Sequence, residues 1–227
     1  MNPQITTPVR RPGWQWWFAF VLLILVVHEA HELAHTITGR FLCGQWAVRD
    51  FNSWNVPGCD SLWPTAAGPV FSYALMWLGL VLMGGAGPSR GLLALALIFA
   101  ANPFARLFTV AMGGGDEMVL VRLLTSGAPA WRVAAVCTVV ALTLPPMWAG
   151  WAATRGWSRR WVCCIALTLA GIGVTGVVLM LGFNRLLRAG VMTEVVSGAP
   201  MLVHVVTLVA VAGLLAWMPW LWRSRPV

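Results

Sequence analysis

The sequence predicts an all-α membrane protein with about six transmembrane helices and a short interfacial β-hairpin after the first. Two observations carry that expectation. The 227 residues are 59% hydrophobic and only 10% charged, where soluble domains carry roughly 25% charge, and the mean hydropathy is +0.77. Six largely uncharged windows, each of about 20 residues as a bilayer-crossing helix requires, follow one another along the chain. They consume about 120 residues, so residues 1–227 read as one integral membrane domain with no room for a sizeable soluble one. All 15 basic residues are Arg, set against seven acids. They fall between apolar runs rather than on one strip, which argues against nucleic acid and for a bilayer with anionic headgroups as the partner surface.

The first window covers residues 14 to about 38 and is uncharged only as far as Val27, where a cluster of His and Glu begins. That run passes into His28 and Glu29 without a small-residue cleavage site, so no cleaved signal peptide is expected. In residues 39–60, Trp46, Phe51 and Trp54 alternate with polar residues and Pro57-Gly58 marks a turn, the pattern of an aromatic hairpin at the interface. The second window lies between Asp60 and Arg90, and the third, residues 91 to about 112, is interrupted by Arg106. Gly113-Gly114-Gly115 then breaks the chain directly before Asp116 and Glu117. The fourth window is 133–154, where Pro145-Pro146 should kink or end part of the helix. The fifth is 161–184 and the sixth 195–222.

With the N-terminus inside, the inner segments hold eight Arg (10, 11, 90, 155, 159, 160, 223 and 225) and the outer ones five (40, 49, 122, 185 and 188). The positive-inside rule therefore favours that orientation. The five Cys include no C-x-x-C pair. Cys137, Cys163 and Cys164 lie in spans as small packing residues, while Cys43 and Cys59 share the first long loop and could pair if it faces an oxidising compartment, a question the sequence leaves open.

The chemistry is concentrated in His28-Glu29-Ala30-His31-Glu32-Leu33-Ala34-His35, five ionisable residues within eight positions of an apolar helix. Charge at membrane depth is costly and needs a reason. At about 100° per residue, His31 and His35 share a face one turn apart and can bind one ion. In H-E-x-x-H the Glu, here Glu32, is the base that takes a proton from zinc-activated water. His28 is one turn earlier, about 10 Å along the axis from His35, which suits a supporting or substrate-channel residue or a packing histidine. Glu29 points away from it and is expected to pair with an Arg. An open zinc site needs a third protein ligand. Asp116, after the Gly triplet, is the first candidate, Glu117 the second, and His204 in the last window a further one.

The run HELAHTITGRFLCG, Ala66 to Pro69 (AAGP), and Asn102-Pro103 followed by an Asp-bearing segment resemble the site-2 protease family of zinc intramembrane metalloproteases, over about the first 120 residues. The resemblance implies a metalloprotease-like core over residues 14–120, with additional helices over 131–222. It implies Zn2+ held by His31, His35 and Asp116, Glu32 as catalytic base, Asn102 near the substrate strand, and a membrane-edge hairpin over residues 46–51. It also implies cleavage of another membrane protein inside the bilayer, and zinc toward the cytoplasmic side, opposite to the Arg count. The chain departs from the family where Asn102 and Pro103 are adjacent, where Asp116 comes fourteen residues after Asn102, where Glu117 stands for Gly, and where Ser72 stands for the Asn of G-P-x-x-N. A zinc endopeptidase of a bacterial cytoplasmic membrane is thus the expected function, with regulation left to a partner protein. The alternative is a non-proteolytic metalloprotein that keeps the site. A di-iron hydroxylase is nearly excluded by a total of four His.

Overall fold

The computed structural model describes residues 9, 11–85 and 88–222. Six of its helical segments are long and apolar enough to cross a membrane, as expected from the sequence.

Helix α1 (Trp14–Cys43) is 30 residues long, about 45 Å, and so exceeds a hydrocarbon core of about 30 Å. It stops at Gly44, whose left-handed backbone (φ 73°) returns its N–H to the Arg40 carbonyl. Strands β1 (Val48–Arg49) and β2 (Trp54–Asn55) then pair antiparallel as the anticipated hairpin. Its tip is held by the Asp50 carboxylate, which accepts from the Asn52 and Ser53 N–H groups at 2.7 and 2.8 Å. A disulfide joins Cys43 to Cys59, across the hairpin.

Helix α2 (Trp63–Gly84) returns through the membrane. The third span is two helices, α3 (Pro88–Ala100) and α4 (Pro103–Ala111). It breaks at Asn102, which is left-handed (φ 57°), because Pro103 disfavours helical backbone in the residue before it. Helix α5 (Asp116–Leu124) is short and lies beside the end of α1. Helix α6 (Trp131–Ala153) runs through Pro145 and Pro146, so the pair does not end the span. The carbonyls such prolines free are tolerated in membrane helices where neighbouring groups serve them. Helix α7 (Arg160–Gly173) continues as a π-helical stretch (Val174–Phe183) and helix α8 (Asn184–Arg188).

The sixth span corrects the sequence expectation. It starts not at 195 but at helix α9 (Met201–Trp217), because strands β3 (Val195–Val196) and β4 (Ala199–Pro200) form a second hairpin before it. Ser197 and Gly198 both have positive φ, the requirement of a two-residue type I′ turn. The two hairpins dock: Arg49 donates its N–H to the Gly198 carbonyl at 3.0 Å. A Cβ at Gly198 would stand 2.0 Å from the Ala47 carbonyl oxygen, so only glycine permits this approach.

The interior forms along α1, where Trp16, Phe20 and Ile24 repeat at helical spacing and are fully buried with Met76, Leu95 and Phe99. Val81, Leu208 and Leu215 are exposed apolar residues on spanning helices, as a lipid-facing surface requires. One end of the bundle gathers the start of α1 and the α6–α7 turn, where Val9 bonds to Ala153 and Trp157. The other end gathers the last turns of α1, α5 and both hairpins.

Candidate metal centre

His31 and His35 project from one face of α1, and α5 brings Asp116 to them. The Nε2 atoms of the two His are 3.2 Å apart, and the Asp116 carboxylate lies 3.5 Å from His31 Nε2 and 3.3 Å from His35 Nε2. Among the described residues these three form the group able to hold a metal ion. Zinc bound tetrahedrally at about 2.0–2.1 Å needs ligand atoms about 3.3 Å apart, and the triangle matches that spacing. Each component has a local cause. Gly115 has φ 90° and ψ 160°, a backbone essentially restricted to glycine, and it turns the chain so that Asp116 opens α5 facing α1. Gly68 lets α2 lie against the imidazoles, since a Cβ there would be 2.2 Å from His35 Nε2 and 2.6 Å from His31 Cε1.

The far ring nitrogens are engaged in a way that frees Nε2 for a metal. His35 Nδ1 donates to the Pro64 carbonyl at 2.6 Å, and Trp54 of β2 stacks on the ring at 4.3 Å between centroids. His31 Nδ1 lies 3.1 Å from Ser72 Oγ and 3.0 Å from Arg106 Nη2. A guanidinium only donates, so when His31 presents the Nε2 lone pair its Nδ1–H has Ser72 Oγ as acceptor. Arg106 then also donates to Ser72 Oγ, at 2.8 Å. Arg106 is itself held by Glu117, which accepts from the Tyr73 hydroxyl at 3.0 Å.

Glu32 is buried, and its Oε2 has no hydrogen-bond partner among the described residues. It lines a cavity of about 470 Å³ together with His31, Asp116, Arg106, Asn102 and His28. An orphaned carboxylate oxygen in this position leaves room for a water or a ligand proton. The donor set and the spacing fit a metal ion.

The other candidates are accounted for by different partners. Glu117 is occupied by Arg106 and Tyr73, away from the His pair. His204 bonds the Val196 carbonyl at 2.9 Å and anchors the second hairpin. His28 Nε2 donates to the Phe51 carbonyl at 2.7 Å, tying the first hairpin to α1 while its ring borders the cavity. Asn102 borders the same cavity and donates to Thr175 Oγ1 at 3.3 Å. Glu29 forms the expected ion pair, with Arg49 of β1.

Sequence reasoning missed Arg106, Ser72 and Trp54. Arg106 had a signal, because a charge interrupting an otherwise apolar span is a functional candidate. The fold and site define a helical membrane protein with a candidate three-ligand metal centre. No protein-family model, curated protein or solved structure matches the chain.

Proposed function

We propose that this chain is a zinc-dependent intramembrane endopeptidase that hydrolyses a peptide bond in or near a transmembrane helix of another membrane protein. The observation that carries the reading is the ligand triangle of 3.2, 3.3 and 3.5 Å, set beside a buried carboxylate with a free oxygen, inside a bundle of spanning helices. His31, His35 and Asp116 would hold a zinc ion, which would supply Lewis acidity toward the scissile carbonyl and a water of pKa lowered to about 7. Glu32 takes the proton from the attacking water as the C–O bond forms. It returns that proton to the leaving nitrogen as the C–N bond breaks, giving a carboxylic acid and an amine, which become carboxylate and ammonium as the remaining water proton passes to the amine. Asn102 and His28 border the cavity and offer polar groups to a substrate backbone drawn out of its helix. The hairpin brings Trp54 over His35 and closes one side of the centre. A bacterial cytoplasmic membrane is the proposed location.

The test is comparative identification of new N-termini in membrane proteins of proteoliposomes carrying the unmodified chain or Glu32→Gln. Cleavages inside hydrophobic segments that vanish in Glu32→Gln support the proposal. Absence of any such difference, with zinc bound in both, favours the non-proteolytic metalloprotein.

A further inference from the structure

We infer that the metal centre opens on the oxidising face of the membrane, with the opposite, Arg-bearing face turned to the cytoplasm and its anionic headgroups. Two independent observations carry this.

The first is the distribution of charge along the bundle axis. At the end away from the centre, Arg11, Arg90, Arg155 and Arg159 are exposed and Arg160 is half-buried. By sequence, Arg10 precedes the first span, and Arg223 and Arg225 follow the sixth. Those eight Arg have no acid among them. All seven acids (Glu29, Glu32, Asp50, Asp60, Asp116, Glu117 and Glu194) belong to the half that holds the centre, where the remaining seven Arg match them. By sequence, no acid lies in the connections that carry those eight Arg. Arg49 is paired with Glu29, and Arg106 with Glu117, which leaves Arg40, Arg122, Arg132, Arg185 and Arg188 as exposed cations beside the centre. Counted by sequence in the short connections near the span ends, with Arg106 and Arg132 left out as span residues, eight Arg lie on that side against five (40, 49, 122, 185 and 188) on the other, the asymmetry that retains a segment on the cytoplasmic side.

The second observation is covalent. The Cys43–Cys59 disulfide lies at the hairpin end, just beyond the last turn of α1. Such bonds persist where the compartment is oxidising and are rare where thiols are kept reduced. The described thiols that remain free, Cys137, Cys163 and Cys164, lie in α6 and α7.

This orientation is opposite to the one the family resemblance implies. It has a consequence for substrates, which rests on the proposed peptidase reading: the scissile bond lies in the half of the substrate's membrane segment nearer the oxidising side, and the hydrolytic water enters from there. From Trp14 to His31 the rise along α1 is about 26 Å, so the centre is far from the cytoplasmic end.

The test uses the full chain in intact cells and requires no catalysis. Ser126→Cys places a thiol in the exposed α5–α6 turn beside the centre, and Gly156→Cys places one in the exposed α6–α7 turn at the other end. A membrane-impermeant maleimide is added before or after permeabilisation, and the labelled peptide is located by mass. The expected result is labelling of Ser126→Cys in intact cells, labelling of Gly156→Cys at least tenfold stronger after permeabilisation, and no label on Cys43 or Cys59 without reductant. The reverse pattern, equal labelling of both turns from one side, or ready labelling of Cys43 and Cys59 without reductant overturns the inference. Retained cleavage with reversed labelling would sink the orientation alone. Expected labelling with no Glu32-dependent cleavage would sink the peptidase reading alone.

Discussion

Adding a single methyl group at Gly68 tests whether close approach of α2 is what shapes the metal centre. In Gly68→Ala the new Cβ would stand 2.2 Å from His35 Nε2 and 2.6 Å from His31 Cε1, where ordinary contact begins at 3.4 Å. One imidazole nitrogen must therefore retreat by roughly 1 Å, several times the tolerance of about 0.2 Å on a metal–ligand distance. The rings have little freedom to do so. His35 is fixed by the Pro64 carbonyl and sandwiched by Trp54, and His31 by Ser72 and Arg106. Zinc affinity is expected to fall at least as far as for loss of a supporting hydrogen bond, about 10–100-fold. The assay is zinc content and zinc titration of detergent-purified protein, beside thermal unfolding. Gly79→Ala is the control, since its Cβ would be 2.7 Å from Ile98 Cγ1 and 2.8 Å from the Ala94 carbonyl, far from the centre. It should lower stability yet leave zinc affinity unchanged. Unaltered zinc affinity in a folded Gly68→Ala protein would refute the reasoning.

Further outcomes follow from the same geometry. Ser72→Ala removes the acceptor for His31 Nδ1–H and leaves Arg106 as the donor facing that nitrogen; zinc titration should show about 10–100-fold weaker binding. Adding Arg106→Gln with Glu117→Gln should recover part of that loss, because the amide oxygen of Gln can accept the proton, and strictly additive losses would contradict the tautomer argument. Glu29→Gln leaves Arg49 buried and uncompensated, so thermal or denaturant unfolding should report a cost of about 3–5 kcal/mol, with Glu29→Leu/Arg49→Met close to the unmodified chain. Joint replacement Cys43→Ser/Cys59→Ser frees a loop of sequence separation 16. It should lower stability by up to about 3 kcal/mol, a loss visible in unfolding of unreduced protein and absent when both proteins are reduced.

The spans were legible in the sequence because a bilayer imposes length and apolarity directly, and both can be counted. His31, Glu32 and His35 were legible because helical periodicity alone places them on one face. Asp116 required elimination among few acids, and its position depends on the Gly115 backbone, which the Gly triplet announces without specifying. The second hairpin was hidden because Val195, Val196 and Ala199 read as a continuation of an apolar run, and only the Ser197-Gly198 pair marks the turn. Arg106 and Ser72 were invisible as partners of His31 for a different reason. Their contact joins α2 and α4 across sequence separations of 34 to 75 residues, which no local pattern encodes.

The most direct measurement is zinc content per chain in metal-retaining detergent preparations of the unmodified protein, Glu32→Gln, His35→Ala and Asp116→Ala. A three-ligand hydrolytic centre requires about one zinc in the first two and loss in the last two. No zinc in the unmodified chain, or full zinc in folded Asp116→Ala, would contradict it.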